Sequence, residues 1–334
     1  KLPRMSAEAT RTALIEDLES CLGALPLIRT SEAAGNRAGA AMGHMLIAKL
    51  AMWNKDYDKA LEAIAVLEQI YGDDLSVYPV SDIPFRMKNT PESIFEVQHT
   101  YTAGGLIYTS NVASICMPYP RNSDNVYSNV VIEELGDAAT TWSPLRPNSF
   151  FYGNLMPEGG EDLRRDMQII TERNGVKFTS GDAIVTRPFM GPKFWCPDLQ
   201  AAYDSNNYKV FRYADAVLMA AECYCALLDK DKAMEYLNKV KRRAGIAEYT
   251  RFRTYPLLLN EIQNERGREL LGEFQRKFDM VRWGIWYERT AALSDYAKVK
   301  TSIQPCHEYY PIPDTEVIYS GGALDNNEYK KYGF

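Results

Sequence analysis

Histidine is nearly missing from these 334 residues, with His44, His99 and His307 the only three. The six cysteines, Cys21, Cys116, Cys196, Cys223, Cys225 and Cys306, contain no CxxC pair. Zinc needs closely spaced thiolate and imidazole ligands, so no metal site is expected. Cys223 and Cys225 lie two apart in a strongly helical run, pointing different ways, and read as small core residues. Also absent is any run of about 20 apolar residues able to span a bilayer. The opening KLPRMSAEAT has neither an apolar signal-peptide core nor a lipid-attachment cysteine. Positive charge is not in excess either: 38 Lys and Arg against 44 Asp and Glu leave a net charge of -6. That balance offers no footprint for a nucleic-acid backbone.

What the chain has is helical periodicity and tyrosine. Its length calls for two lobes or one large helical unit. The segment from Asn36 to Tyr71 carries two apolar stripes, Ala41, Met45, Ala48, Met52 and Ala60, Ile64, Leu67, Tyr71, joined by NKDYD with Asp56 as a helix cap. A second hairpin, Phe211 to Gly245, repeats the plan with Ala214, Val217, Leu218, Ala221, Cys225 and Leu228, then Ala233, Leu237 and Val240. Aligning DYDKALEAI with DKDKAMEYL places Ala60 on Ala233, Ile64 on Leu237 and Ala48 on Ala221. Small residues at these positions are the mark of tetratricopeptide repeats, whose units need a neighbour to finish burying their faces. The alternative is two unrelated amphipathic hairpins. Gly72 and Gly245 follow where a chain-reversing cap belongs. A further helix is expected from Ala7 to Leu25, with Ala13, Leu14, Asp17, Leu18, Cys21 and Leu25 facing inward.

Between the hairpins the pattern changes. SIFEVQHTY, Ser93 to Tyr101, reads as a strand and TAGGLIYTSN as a turn and loop. Tyr101 to Tyr208 is rich in Pro, Gly, Asn and aromatics, with short helical candidates such as VYSNVVIEELG, and an irregular stretch this long is usually functional. Seven of the chain's 22 Tyr and two of its 5 Trp fall here.

Near the C-terminus NERGRELLGEFQRKFDMVRWG puts Glu265, Glu269 and Glu273 four apart on what reads as one helix. Their spacing of roughly 5 to 6 Å between Cβ atoms approaches the carboxylate pairing of retaining glycosidases. One continuous helix leaves little room between them for a sugar ring. With Arg276, Asp279 and Arg282 following, and Arg266 and Arg268 beside them, a structural ion-pair network is the reading preferred. Ser110, Ser114 and Ser123 lack GxSxG surroundings, and His44 lies on an alanine-rich helix. EGGED, Glu158 to Asp162, lacks the alternating ligands of a strong calcium loop and reads as a solvated bend. No catalytic residue and no cofactor are expected.

Several blocks together resemble one family. FRYADAVLMAAECYCALLDKDKAMEYLNKVKRRAGI, the block LLLNEIQNERGRELLGEFQRKFDMVRWG, and the closing YYPIPDTEV with NNEY match its pattern in order, as do the first hairpin and PESIFEVQ. The chain is similar to the SusD/RagB family, surface glycan-binding lipoproteins of Bacteroidetes. The resemblance implies a single, mainly α unit over 1–334: tetratricopeptide-like hairpins in 7–72 and 211–284, a loop-rich ligand-binding lobe with a few short strands over 91–210, and a C-terminal loop segment over 285–334. It implies non-catalytic capture of an oligosaccharide at the outer surface of the outer membrane and delivery to a SusC-like TonB-dependent transporter. The membrane attachment would be a lipid anchor in an N-terminal part upstream of these residues, together with a further repeat. A peptide-binding member of the family, or an all-helical glycoside hydrolase using Glu269, are the alternatives. Sugars offer apolar C–H faces and hydroxyl rims, so aromatic platforms with polar companions are the candidates: Tyr101, Tyr108, Tyr119, Tyr127, Trp142, Tyr152 and Trp195, with Arg121, Asn122, Asn125, Asn148 and Asn154.

Overall fold

Alanine stripes become helix contacts in the computed structural model, which describes residues 5–26, 38–101, 108–117, 141–173, 176–177, 188–197 and 199–334. Helices α1 (Ala7–Leu22), α2 (Ala40–Trp53) and α3 (Tyr57–Tyr71) pack in sequence order. Across the chain, α6 (Tyr213–Ala226), α7 (Lys230–Arg243) and α8 (Tyr255–Glu269) form the second group. Every residue of both stripes in the first hairpin is buried. Asp56 and Asp229 cap α3 and α7 by accepting the amide hydrogens of Lys59 and Lys232, and Gly72 and Gly245 follow with φ of 87° and 73°.

The hairpins are far apart in sequence and adjacent in space: α3 packs directly on α6. Tyr71 stacks on Tyr213 at 5.0 Å between ring centroids, and Tyr78 meets both rings edge-on. Each phenol is used, Tyr71 donating to the Ser93 carbonyl, Tyr78 to that of Tyr71 and Tyr213 to that of Gly72. Each hairpin thus supplies the neighbour the other lacks, and the intervening residues leave and rejoin the stack.

The return is a two-stranded antiparallel sheet. Strand β1 (Ser93–Val97) pairs with β6 (Tyr208–Arg212), which runs straight into α6. Glu96 and Lys209, opposite each other, form a fully buried ion pair at 3.0 Å. Between them lie α4 (Val112–Cys116), a single π-helical turn at Phe151–Leu155, α5 (Arg165–Gln168), and strands β2 (Ile169–Ile170), β3 (Glu172–Arg173), β4 (Val176–Lys177) and β5 (Phe189–Met190), paired β2 with β5 and β3 with β4. After α8 the chain continues through α9 (Arg276–Arg282) and four further helices: α10 (Trp286–Leu293), α11 (Ala297–Ser302), α12 (Asp314–Tyr319) and α13 (Asn327–Lys330). The mainly α architecture with an irregular, few-stranded lobe agrees with the sequence reading. No helix among the described residues is long and apolar enough to cross a membrane.

Four local expectations are corrected. The segment 285–334 is not all loop; Pro305, Pro311 and Pro313 break it into helices too short to show periodicity. In α1 the inward stripe is Ile15, Leu18 and Leu22, while Leu14, Asp17 and Cys21 are exposed; the polar Asp17 belongs to the solvent side. Leu228 is 65% exposed because it occupies the left-handed turn between α6 and α7, at φ 63°. The glutamate helix stops at Glu269, so Glu273 lies beyond it.

Ala221 is fully buried on α6, and tight packing there leaves no volume for a larger side chain. We expect Ala221→Leu to cost about 1–3 kcal/mol by overpacking, and Leu228→Ala to stay within roughly 0.5 kcal/mol of wild type. Urea midpoints of the two variants check both; a neutral Ala221→Leu would contradict the close helix approach.

Candidate functional site

The three glutamates are the first candidates, and their surroundings decide what they do. Gly272 sits at φ +72°, where an added Cβ would lie 2.3 Å from the Phe194 ring. Beyond the end of the helix this glycine lets the chain fold back, and Glu273 meets Arg212, the cation that also pairs with Glu269. Arg164 bridges Glu265 and Glu269 at 2.7 and 2.8 Å. Arg212 reaches Glu269 at 2.9 Å, Glu273 at 2.7 Å and Glu92 at 2.9 Å. Arg243 pairs with Glu92 and Glu269, and Lys193 with Glu273. All eight residues are buried.

Burial alone would raise the Glu269 carboxyl, but Arg243, Arg212, Arg164 and Lys193 hold it well below the usual carboxylate range. Glu265 is likewise lowered against its burial by Arg164 and Arg268. Both Glu269 oxygens contact guanidinium groups. Among the described residues Glu265 and Glu269 are fully buried and held ionised by their cations, so the ion-pair reading holds and Glu269 has no proton to give as a general acid. The partners differ from those expected: most come from outside the C-terminal stretch. Arg266, Asp279 and Arg282 build a second network with Asp215, Lys49 and Glu222, while Arg276 donates to the Gln263 carbonyl.

Of the aromatic candidates, Tyr119, Arg121 and Tyr127 lie outside the described residues, with Asn122, Asn125, Ser123 and VYSNVVIEELG. Trp195 is a correction: it is 2% exposed and its indole N–H donates to the Met190 carbonyl, so it is core and no platform. Tyr152 is half-buried against Phe151, Met156 and Ile169, and Tyr101 is half-buried at the lobe's edge. Asn148 is spent on structure, donating to Leu293 and accepting from Phe151. Tyr108 and Trp142 are the exposed ones, at 63% and 49%.

Both hang from one hydrogen-bonded knot. The segment from Tyr108 to Met117 bonds Thr100 through Tyr108 in both directions. Ser110 and Asp204 exchange two backbone bonds of 2.9 Å, and the buried Asp204 carboxylate accepts from the amides of Ala113 and Asn206. Trp142 donates its backbone N–H to the Ser114 carbonyl. Tyr203, next to Asp204 and 53% exposed, joins the same knot. Sequence reading missed it; the signal was DSNN at 204–207, a turn-forming polar run whose Asp204, Asn206 and Asn207 are all fully buried. The geometry holds exposed aromatic rings on a braced loop and, among the described residues, brings neither Ser110 nor Ser114 to a base: both are buried and their hydroxyls serve the local backbone. Asp162 of EGGED is taken by Arg164.

A stack of helical hairpins carrying a loop-rich lobe with exposed aromatics defines a repeat scaffold with an irregular insertion. Residues 199–329 match the model of the SusD family. The chain is 36% identical over 223 residues to the SusD-like protein P25 of Formosa agariphila, a match covering 63% of this chain and 40% of that relative. Over these residues the chain is similar to the SusD/RagB family. Its fold superposes on surface glycan-binding protein A from Bacteroides uniformis with a TM-score of 0.70 at 23% identity, covering 98% of this chain and 70% of that one. The corresponding protein from Bacteroides thetaiotaomicron, in complex with laminarihexaose, gives a TM-score of 0.70 at 22% identity, covering 97% and 71%.

Leaving buried cations without their carboxylate costs roughly 3–5 kcal/mol, so Glu269→Gln should lower stability by that order. Asp215, driven down to about 2 by Lys49 and Arg266 against its burial, sets an acid limb: its depressed value adds stability above the unfolded-state pKa of ~3.9. That stability is lost as pH falls from there toward about 2. Thermal melts of wild type and Asp215→Asn between pH 2 and 6 should therefore converge at the acid end.

Proposed function

We propose that the chain captures an oligosaccharide without chemistry, at the cell surface, and hands it to a SusC-like TonB-dependent transporter in the outer membrane. The observation that carries this is the knot of Tyr108, Trp142 and Tyr203: exposed rings on backbone fixed by buried hydrogen bonds, matched to the C–H faces of sugar rings. A braced platform loses little conformational entropy on binding. The occupancy of a related fold by laminarihexaose supports a glycan as ligand, as does the name of the relatives. Tyr101, Tyr119, Arg121, Tyr127 and Tyr152 remain proposed ligand-binding residues. The helical stack would face the transporter, and a lipid anchor upstream of this chain would hold the protein to the membrane.

Affinity electrophoresis over a polysaccharide panel, with protein-digest peptides as competitors, tests the reading. One glycan should retard the chain, and Trp142→Ala should weaken that binding by roughly 5–30-fold, about 1–2 kcal/mol. Retardation unchanged in a Tyr108→Ala, Trp142→Ala, Tyr203→Ala triple variant would remove the knot as the site, and competition by peptides alone would make the ligand a peptide. New reducing ends released from the bound glycan would refute capture without turnover. Recovery of no transporter with the intact, membrane-anchored protein in detergent would refute the partnership.

A further inference from the structure

Among the described residues ten cationic side chains are buried: Arg164, Arg165, Lys193, Lys209, Arg212, Lys239, Lys241, Arg243, Arg266 and Arg268. Eight of them meet a carboxylate of the core or its margin. Lys241 and Arg165 do not, and both line one cleft.

The cleft, of 190 Å³, opens beside the last turn of α7, between Lys241, Tyr249, Arg268 and the loop from Leu155 to Arg165. Lys241 is 6% exposed, and its ammonium makes no hydrogen bond or ion pair among the described residues. Its ammonium lies 4.0 Å from the centroid of the Tyr249 ring. Burial pushes its pKa down, Glu265 and Glu261 pull it up, and Arg268 and Arg164 push it down again. Arg165 is 9% exposed; its Nε is buried without a partner, and Nη1 meets only Asp166, whose carboxylate is almost wholly in solvent.

Other charges at the cleft are committed. Asp162 is held by Arg164 through two oxygens, and Arg268 is taken by Glu265 and Glu261. Glu161 is exposed to solvent at the rim. A largely buried cation without a counter-ion has lost most of its hydration and received nothing equivalent. A ring face offsets part of that loss and leaves the ammonium's hydrogens without acceptors. Tyr249 is itself fixed, its backbone clasped by the Asn238 amide in both directions and its ring packed against Phe252 at 4.7 Å.

We propose that this cleft binds an oxyanion, a carboxylate or sulfate group, between Lys241 Nζ and the Arg165 guanidinium, with Tyr249 as its rigid apolar wall. Oxygen acceptors would satisfy both cations, and planar Arg165 suits two-point recognition of either group. The group reaches the cleft either as a free ion or on a sugar ring. The site stands on these cations alone and is independent of the aromatic knot.

Calorimetric titration at constant ionic strength and pH 7 tests it, using sodium sulfate, glucuronate, glucose 6-sulfate and neutral glucose. Saturable binding of sulfate or glucuronate is expected. Lys241→Met and Arg165→Met should each weaken it at least tenfold, while Lys232→Met, an exposed lysine of the same helix, should not. Sulfate binding as tightly as the charged sugars assigns a free ion; charged sugars binding tenfold tighter assign a sugar-borne group. Failure of both sulfate and glucuronate to saturate, glucose binding as well as glucuronate, or equal loss in Lys232→Met would each overturn the site. Should Lys241→Met not fold, the wild-type chain with 15N-labelled lysines decides the same question: a Lys241 Nζ resonance that shifts under saturating sulfate or glucuronate supports the site, and one unmoved by both overturns the proposal.

Discussion

Desolvation of charge is the constraint on which the rest of the structure depends. Taking an ion out of water costs several kcal/mol even after the protein relaxes, and here Arg164, Lys193, Arg212, Arg243, Glu92, Glu265, Glu269 and Glu273 are buried together. Four cations against four carboxylates leave the cluster neutral only when every contributor is in place. The contributors come from the approach to β1, the loop before α5, the turn after β5, the end of β6, the end of α7, and α8 with the turn after it. A network this dispersed acts as a register: displacing any one element strands charge in a dry interior.

The register explains how a long irregular insertion coexists with a regular helix stack. The two hairpins meet through α3 and α6, so the roughly 140 residues between them must leave the stack and return to the same edge. Strands β1 and β6 are the exit and the entrance, paired side by side. Arg212 closes that pair: it is the last strand residue, the cap position of α6 and the cation shared by Glu92, Glu269 and Glu273. One side chain therefore joins sheet, stack and C-terminal helix.

Legibility in the sequence followed the range of the interaction. The hairpins, their caps and the strand at Ser93 declared themselves through periodicity and turn chemistry, which are local. The two repeats could be aligned, but nothing local announced that they touch. The glutamate triplet was legible as an ion-pair element, whereas Arg164, Lys193, Arg212 and Arg243 were invisible as its partners, since charge pairing across 26 to 105 residues leaves no spacing rule. The break at Gly272 was hidden because the charged stripe continues in phase through it. In the lobe, Trp195 and Tyr108 are indistinguishable by composition; which ring is core and which is exposed depends on where DSNN ties the loop.

Buried polar order also accounts for how a loop-rich lobe can present a fixed surface. Loops are mobile when their backbone groups are answered by water; at 108–117 they are answered instead by Asp204, Thr100 and the segment carrying Trp142. The same logic places the second, charged cleft. Arg164 turns inward to the central network, and the next residue, Arg165, lines the cleft. Glu265 binds Arg164 through one oxygen and Arg268 through the other, so the wall of the cleft is hung from the most buried carboxylates in the protein. A ligand arriving there meets cations already positioned and largely desolvated, and the cost of preparing them was met in folding.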